Sequence, residues 1–246
     1  MQTECSESRI EFHGLGGRVL TADFDGGNIV SDGGVPLIAQ VDRMFRVLER
    51  YAECFTDHRD PEAIEHSVLD LVRQRIYGLC LGYEDLNDHD RLRADALIAA
   101  CVGKQDPEGQ ERRRPDDRGM PMAGKSTLNR LELSKVGADP DSPYCKIVAD
   151  LDGIADLLVD LFLDAHDSPP EEITLDIDPT NLELFGDQLG RHFQKHYDGY
   201  CYLPQYVFCG EFLLAAQLRP GDVGAMSGAM ELLQKIVTRI RQRWPD

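Results

Sequence analysis

The sequence predicts an α+β or α/β fold, in which a helical N-terminal region precedes a smaller domain of three strands and one helix. Three observations indicate this. Between residues 36 and 168, apolar residues recur at three- and four-residue intervals, the period of an amphipathic helix. Apolar and polar residues then alternate from Ile173 to Asp178, the period of a strand. Two further strand-like runs and an amphipathic helix follow.

Composition and charge limit the function classes. The chain has 246 residues, 42% of them hydrophobic, and a net charge of −18, which argues against a simple nucleic-acid binder. The charge is uneven, because Arg191 to Asp246 contains seven Lys and Arg against five Asp and Glu. No apolar run reaches the roughly 18 residues of a membrane helix, and the N-terminus lacks a secretion signal, so we expect a cytoplasmic protein without a membrane partner.

Three segments are predicted. Residues 1–35 form a glycine-rich N-terminal segment, with a short strand expected at Val19–Phe24 and Gly14, Gly16 and Gly17 in loops. Residues 36–168 form the helical region. Residues 169–246 form the smaller domain of strands and one helix, and a boundary is expected where Asp167, Ser168, Pro169 and Pro170 end the preceding helix.

The helical region contains several predicted helices. The first has its inward face at Leu37, Val41, Met44, Phe45 and Leu48, and the second begins at Asp60 and Pro61 with an apolar face from Ile64 to Leu79. Further helices are expected at Leu92–Val102, after an N-cap at Ser126 or Thr127, and at Ile147–Ala165. The acidic loop from Glu84 to Asp90 lacks the glycine and distal glutamate of a calcium loop and is interpreted as helix caps.

The final segment begins with an acidic strand. Strands at Tyr202–Phe208 and Phe212–Leu218 flank a short turn and predict a hairpin. In the helix that follows, Met226, Met230, Leu233, Ile236, Val237 and Ile240 share one face. An acidic strand, a hairpin and an amphipathic helix are the opening order of a ribonuclease-H-like fold.

Asp176 and Asp178 are the candidate metal ligands. Two residues along a strand separate their carboxylates by roughly 6.5 to 7 Å, so one can hold a divalent ion while the other orients its surroundings. The alternative is that both are solvent-facing residues of an ordinary edge strand. The sequence alone leaves both interpretations open.

Several motifs carry a resemblance to a known family. LDIDPT, HYDGYCYLPQYVF, LLAAQLRPGD and the helix ending RIRQRWPD resemble the catalytic domain of DDE-type transposases of bacterial insertion sequences. NIVSDGGVPLIAQVDR, the long segment containing GYEDLNDHD, and STLNRLEL resemble the helical leading region of that family. The resemblance runs from about Asn28 to the end of the chain, and GYEDLNDHD and LDIDPT are its most specific parts.

The resemblance implies DNA transposition, that is, metal-dependent cleavage and transfer of DNA strands, with Mg²⁺ as cofactor and transposon ends as DNA partner. It makes Asp178 the first catalytic acid, because a Thr, here Thr180, follows two residues later, and Asp176 either its neighbour or the true ligand. The second and third acids cannot be assigned, and Asp246 is not offered as one. The chain is therefore predicted to be inactive alone, as the first part of a split or truncated transposase, with a downstream fragment or a second copy as partner.

Other interpretations remain. Arg219, Arg239 and Arg243 are candidate DNA contacts, with a solvated helix face as the alternative. Arg112–Arg114 lie in a polar loop that is either solvated or in contact with phosphate. The whole chain could instead be a non-catalytic remnant that acts only as a DNA-binding or protein-interaction module. A nucleotide hydrolase through Gly119–Ser126 is disfavoured, because no strand is predicted before that glycine loop and Pro121 removes a backbone donor.

Overall fold

The computed structural model describes residues 10–22, 32–135 and 137–245. The chain divides into two compact units, Met1–Asp150 and Leu151–Asp246. Parts of the predicted glycine-rich segment, residues 1–9 and 23–31, lie outside the described residues, as does Asp246. No helix among the described residues is long and apolar enough to cross a membrane.

The first unit is mainly helical. Its helices are α1 (Val35–Phe45), α2 (Val47–Glu53), α3 (Val68–Cys80), α4 (His89–Leu92), α5 (Ala96–Val102) and α6 (Lys125–Glu132). Its strands form two antiparallel pairs, β1 (Ile10–Leu15) with β2 (Arg18–Ala22) and β3 (Phe55–Asp57) with β4 (Ile147–Ala149). Single 3-10 turns lie at Pro61–Ala63, Leu86–Asp88 and Pro115–Asp117.

The N-terminal hairpin agrees in part with its prediction. Gly16 and Gly17 form the turn with positive φ angles of 61° and 80°, a conformation that favours glycine. Gly14, expected in a loop, lies in β1. The predicted strand Val19–Phe24 is observed as β2 up to Ala22, and its last two residues lie outside the described part of the chain.

The first predicted helix is divided, and its predicted inward face is wrong. Arg46 adopts a left-handed conformation with φ 53°, which ends α1 and begins α2. The buried residues of α1 are Val35, Pro36, Ala39 and Asp42. Of the predicted stripe only Leu48 is buried, whereas Leu37, Val41, Met44 and Phe45 are exposed.

A buried polar network explains this orientation of α1. The Asp42 carboxylate accepts hydrogen bonds from Arg73 Nε (2.9 Å), from the Tyr77 hydroxyl (2.9 Å) and from the Leu48 backbone N–H (3.0 Å). Asp42 and Arg73 are only 5% and 8% exposed. Because a buried carboxylate is stable only with such partners, the face containing Asp42 turns inward and the opposite apolar face stays in solvent.

The second and third predicted helices begin at other residues in the structure than in the prediction. Asp60 caps only the 3-10 turn at Pro61–Ala63, and α3 begins after Ser67, whose side chain forms a capping box with Asp70. Leu71 and Val72 are buried as predicted, but Leu79 is exposed. The segment Leu92–Val102 is not one helix, because Asp95 caps a new helix, α5, by accepting from the Ile98 N–H (2.9 Å).

Two other boundaries require correction. The N-cap of α6 is Gly124, which precedes the predicted Ser126 or Thr127. Residues Ile147–Ala149, predicted as the start of a helix, form strand β4 paired with β3. In a strand, the backbone groups of these three residues pair with β3, and the Ile147 side chain is fully buried. The capping interpretation of the acidic loop is confirmed, since Asp85 accepts from the Asn87 N–H.

The second unit contains two helices and two small antiparallel sheets. Its elements are α7 (Leu151–Asp164), β5 (Asp176–Pro179), β6 (Leu182–Glu183), β7 (His192–Gln194), β8 (Gly199–Tyr202), β9 (Gln205–Cys209), β10 (Phe212–Gln217) and α8 (Ala229–Arg243). One sheet has the order β10-β9-β5 and the other β6-β8-β7. The mixed helix and antiparallel strand content confirms the α+β class.

Both helices of this unit pack on the β10-β9-β5 sheet. The core contains Val159, Phe162 and Leu163 of α7, Val207, Leu214 and Ala215 of the sheet, and Ile236 and Ile240 of α8. Helix α7 belongs to this core, and the compact unit that contains it starts at Leu151, whereas the predicted domain boundary at residue 169 lies between α7 and β5. Met226 precedes α8, and Met230 is exposed, so the predicted apolar face of α8 is confirmed mainly at Ile236 and Ile240.

The predicted hairpin is confirmed as β9 and β10, although Tyr202 belongs to β8. The acidic strand begins at Asp176, three residues after the predicted start at Ile173. Ile173 and Leu175 still pack against the core of the second unit, so the predicted alternation of inward and outward residues continues before the strand itself.

Candidate metal-binding carboxylate site

Strand β5 carries both predicted carboxylates on one face. Asp176 lies opposite Phe208 and Asp178 opposite Tyr206 in the antiparallel pairing with β9, and both aspartates are exposed. Ile177, between them, is partly buried against the core. Since successive side chains of a strand point to opposite faces, the carboxylates lie on the face opposite to the helices.

Thr180 orients the second carboxylate. Its hydroxyl donates to Asp178 Oδ2 at 3.1 Å, and its backbone N–H donates to the Pro204 carbonyl at 2.9 Å. The second bond fixes the chain directly after β5, so the first bond is made from an anchored residue. One carboxylate oxygen of Asp178 therefore already accepts a hydrogen bond. Asp176 lies two residues earlier, on the same face of the strand.

These donors fit a hard divalent ion in kind, but they are few. Mg²⁺ in proteins commonly binds through one or two carboxylates and completes its shell with water and substrate phosphate. Within residues 10–22, 32–135 and 137–245 there is no group of three or more His, Cys, Asp or Glu residues arranged to hold a metal ion. Asp176 and Asp178 alone could therefore offer a metal ion two carboxylate ligands, and this role stays a prediction.

Arg219, a predicted DNA contact, is buried and hydrogen-bonded inside the unit. Its Nε donates to the Leu203 carbonyl (2.9 Å), Nη1 to the Ser227 carbonyl (2.7 Å) and Nη2 to the Ala225 carbonyl (3.1 Å). Only 6% of the residue is exposed, and burial lowers the pKa of its guanidinium. This arrangement favours a structural role, in which Arg219 holds the segment between β10 and α8.

Arg239 and Arg243 face the acidic side of α7. Arg239 makes a bidentate contact with Asp160 at 2.8 Å for each nitrogen, and Arg243 Nη1 lies 2.6 Å from Asp164. The basic face of α8 is thus paired with carboxylates of the neighbouring helix. DNA contact by these two arginines stays a prediction, and DNA phosphates would compete with those carboxylates.

The sequence RPGD after β10 packs closely on the second sheet. Pro220 forms a β-bridge with Tyr202, and the Gln194 side chain donates to the Gly221 carbonyl at 3.0 Å. A Cβ atom added to Gly221 would lie 2.3 Å from the Cys201 carbonyl oxygen and 3.0 Å from that of His192. The glycine is therefore required by close backbone approach.

Replacing Gly221 with Ala is expected to lower the free energy of unfolding of the second unit by about 1–3 kcal/mol, because the new methyl group displaces backbone atoms. Trp244, the only tryptophan, packs on the core of this unit, so its fluorescence in urea measures the effect. Gly224→Ala is the matched control, since the position that its methyl group would occupy has no other part of the described chain within 4 Å. Equal destabilisation by both variants would contradict the packing argument.

His192 and His196 are four residues apart, the spacing of a metal-binding pair on a helix, and Gly119–Ser126 has the spacing of a phosphate-binding loop, but the structure forms neither site. His192 lies in strand β7 and approaches Asp222 at 3.7 Å, so His192 and His196 are not related by a helical turn. No strand precedes Gly119–Ser126 in this part of the described chain, and Lys125 Nζ contacts Asn87 (2.9 Å) and Asp90 (3.2 Å). The structure therefore gives the nucleotide-hydrolase interpretation no support.

A second concave surface, in the first unit, includes residues that the sequence did not single out. This cleft has a volume of about 660 Å³, and Arg130 and Tyr144 line it together with Arg112–Arg114. Only the run of three arginines was a visible signal. Arg130 and Tyr144 are far from that run in sequence, and the fold of the unit brings them together.

The fold is thus of the α+β class, with an exposed pair of carboxylates on an edge strand of a three-stranded sheet. A family model described as Transposase DDE domain group 1 matches residues 12–246, and the chain belongs to this family. The predicted resemblance to DDE-type transposases is confirmed. Comparison with curated proteins and with solved structures found no match.

Proposed function

We propose that the chain acts in DNA transposition as a DDE-type transposase, with Asp178 as a metal-binding carboxylate. The observation that carries the proposal is the exposed pair Asp176 and Asp178 on β5, within the stretch matched by the family model. Thr180 follows Asp178 by two residues and donates to it, in the spacing that the family resemblance implies for the first acid.

The arrangement of the second unit supports a ribonuclease-H-like core. The acidic strand β5, the hairpin β9–β10 and helix α8 follow one another in the chain, and β9 pairs with both β5 and β10. In that fold a further strand pairs with the first, and in the described sheet β5 has one edge without a strand partner. The small sheet β6-β8-β7 lies between the first strand and the hairpin in sequence.

The proposed chemistry assigns separate roles to the residues of β5. A bound Mg²⁺ would supply Lewis acidity toward a phosphoryl oxygen and an attacking oxygen. Asp178 would hold the ion, while Thr180 keeps the carboxylate in one orientation. Asp176 would act as a further ligand or orient a ligand water. Because two carboxylates do not complete a two-metal site, the proposal includes a partner, either a second copy or a further transposase fragment, and transposon-end DNA as substrate.

A second candidate is a non-catalytic module that binds DNA or protein. The observation in its favour is that the described residues bring only two carboxylates together at β5 and no group of three metal-binding residues. In that case Asp176 and Asp178 are solvent-facing residues of an edge strand. The two candidates differ in whether a divalent ion binds at β5.

Iron-mediated cleavage tests this directly. Fe²⁺ replaces Mg²⁺ in oxygen-donor sites, and with ascorbate and peroxide it cuts the polypeptide close to the bound ion. We expect cuts next to β5 and next to its partner strand β9, located by mass spectrometry. Asp178→Asn should reduce these cuts at least about tenfold, because it removes the charge that holds the ion.

Asp187→Asn is the matched control, since Asp187 is a fully exposed carboxylate of the same unit whose side chain is 98% accessible. It should leave the cuts unchanged. If Asp178→Asn is cut like the unsubstituted chain, Asp178 is not a metal ligand and the non-catalytic candidate is favoured.

A further inference from the structure

The cleft of about 660 Å³ in the first unit is basic, whereas the chain as a whole is acidic. The chain as a whole has 26 Lys and Arg against 44 Asp and Glu. Of the residues that line this cleft, seven are Lys or Arg and four are Asp or Glu. We call this surface the arginine cleft. Such a concave basic surface on an acidic protein concentrates positive potential at one place.

The four acidic residues of the arginine cleft are already engaged. Glu65 accepts from Arg112 Nη2 and from the Arg113 backbone N–H, both at 3.1 Å. Asp117 binds Arg93, with Arg112 at 3.7 Å. Asp60 caps the turn at Pro61–Ala63, and Asp90 lies 3.2 Å from Lys125 Nζ.

Three guanidinium groups remain exposed and unengaged by carboxylates. Arg113, Arg114 and Arg130 are exposed, and their side chains form no salt bridge with any described residue. Arg114 is near enough to Asp117 to help lower the pKa of that carboxyl, after the larger effects of Arg93 and Arg112. Since Asp117 is bound by those two arginines, Arg114 keeps its donors available for an external anion.

Two hydroxyl residues and one aromatic residue complete the surface. Ser126 and Thr127 line the arginine cleft at the first turn of α6. Tyr144 also lines it and is 72% exposed. Proteins that bind single-stranded nucleic acid combine basic side chains, which contact phosphates, with exposed aromatic rings, on which bases stack. A small phosphate needs no such ring.

We propose that the arginine cleft binds the phosphate backbone of single-stranded or unpaired DNA, with Arg114 and Arg130 on phosphates and Tyr144 stacked on a base. The proposal deepens the proposed function, on which the choice of DNA as the nucleic acid rests. The site lies within the first unit and is separate in sequence from the carboxylates of β5. Lys125 is directed to Asn87 and Asp90 and has no part in it.

Fluorescence anisotropy with a labelled single strand of about 16 nucleotides and the matching duplex tests the proposal, on the full chain in EDTA and at about 50 mM salt. Arg114→Gln/Arg130→Gln should weaken single-strand binding at least about tenfold and reduce the salt slope by roughly 1.4, about 0.7 for each lost phosphate contact. Tyr144→Ala should weaken single-strand binding about tenfold and duplex binding less, and Tyr144→Phe should bind like the unsubstituted chain.

Arg46→Gln/Lys135→Gln changes the net charge equally at two exposed residues that do not line the cleft, and it should stay within about twofold of the unsubstituted chain. An equal loss of single-strand affinity in both double variants would overturn the assignment of the arginine cleft as the binding site, since binding would then depend only on net charge. Displacement of DNA by inorganic triphosphate, with no effect of Tyr144→Ala, would assign the cleft to free phosphates instead. Asp178→Asn should not alter binding in EDTA, so failure of the β5 metal site and failure of the arginine cleft are distinguished.

Discussion

Replacing Asp42 with Ala is expected to lower the free energy of unfolding of the first unit by about 3–5 kcal/mol, the range for removal of one partner of a buried ion pair. The substitution leaves the Arg73 guanidinium charged in a site that is 8% exposed. It also removes the acceptor of the Tyr77 hydroxyl and of the Leu48 N–H. Burial and the adjacent Asp42 carboxylate raise the pKa of Tyr77, so its hydroxyl stays protonated and needs an acceptor.

Hydrogen exchange of the α3 amides, followed by mass spectrometry, measures this loss in the full chain. Glu49→Ala is the matched control, because Glu49 contacts the same Arg73 at 3.4 Å but is more exposed than Asp42, and it should cost less than about 1 kcal/mol. Asp42→Leu/Arg73→Met should recover part of the stability by removing both charges. If Asp42→Ala and Glu49→Ala have equal effects, the buried pair is not the main stabilising contact.

The acidic strand, the hairpin and helix α8 of the second unit were predictable from sequence because their patterns are strict. The alternation around Asp176 and Asp178 has a period of two, and it fixes which side chains face solvent. The hairpin at β9 and β10 was equally clear. The sheet β6-β8-β7 was not predicted as a sheet, because strands of two to four residues such as His192–Gln194 are too short to show a period.

Helix α1 shows why a correct helix can be assigned the wrong face. Leu37, Val41 and Met44 form a stronger apolar stripe than Val35 and Ala39, so hydrophobicity alone favours them as the inward face. The buried network at Asp42 decides otherwise, and it depends on Arg73 and Tyr77 from α3. A contact between residues so far apart in sequence leaves no local signal.

The candidate sites also combine features that the sequence shows with features that only the folded chain creates. The exposure of Asp178 could be predicted because strand alternation places its side chain away from the core, while its role as a metal ligand stays a prediction. The burial of Arg219 could not be predicted, since its three carbonyl acceptors lie in loops whose conformation the sequence does not specify. The arginine cleft depends on Arg114, Arg130 and Tyr144 meeting in the folded unit, so only the run Arg112–Arg114 was noticeable beforehand.

Acidification is expected to destabilise the first unit through His66. Burial lowers the pKa of His66 to about 3 from its ordinary 6.5, and the nearby charges of Lys104 and Arg112 add to this effect. Between these two values the unfolded chain binds a proton that the folded chain excludes. The contribution of His66 to the free energy of unfolding is therefore fully present above pH 6.5. It is lost as the pH is lowered, by about 1.4 kcal/mol per pH unit, so that about 2 kcal/mol is lost at pH 5.

Peroxide oxidation of Met122 in increasing urea reports this unfolding, because Met122 is fully buried in the core of the first unit and thioether oxidation proceeds across this pH range. His66→Gln should reduce the pH dependence of the free energy of unfolding between pH 7 and 5. The smaller dependence that remains is due to His89, whose pKa burial also lowers. His196→Gln, at an exposed position, should retain the full slope. A His66→Gln chain that loses stability as steeply as the unsubstituted chain would show that His66 becomes protonated without unfolding, and that its burial is relieved locally.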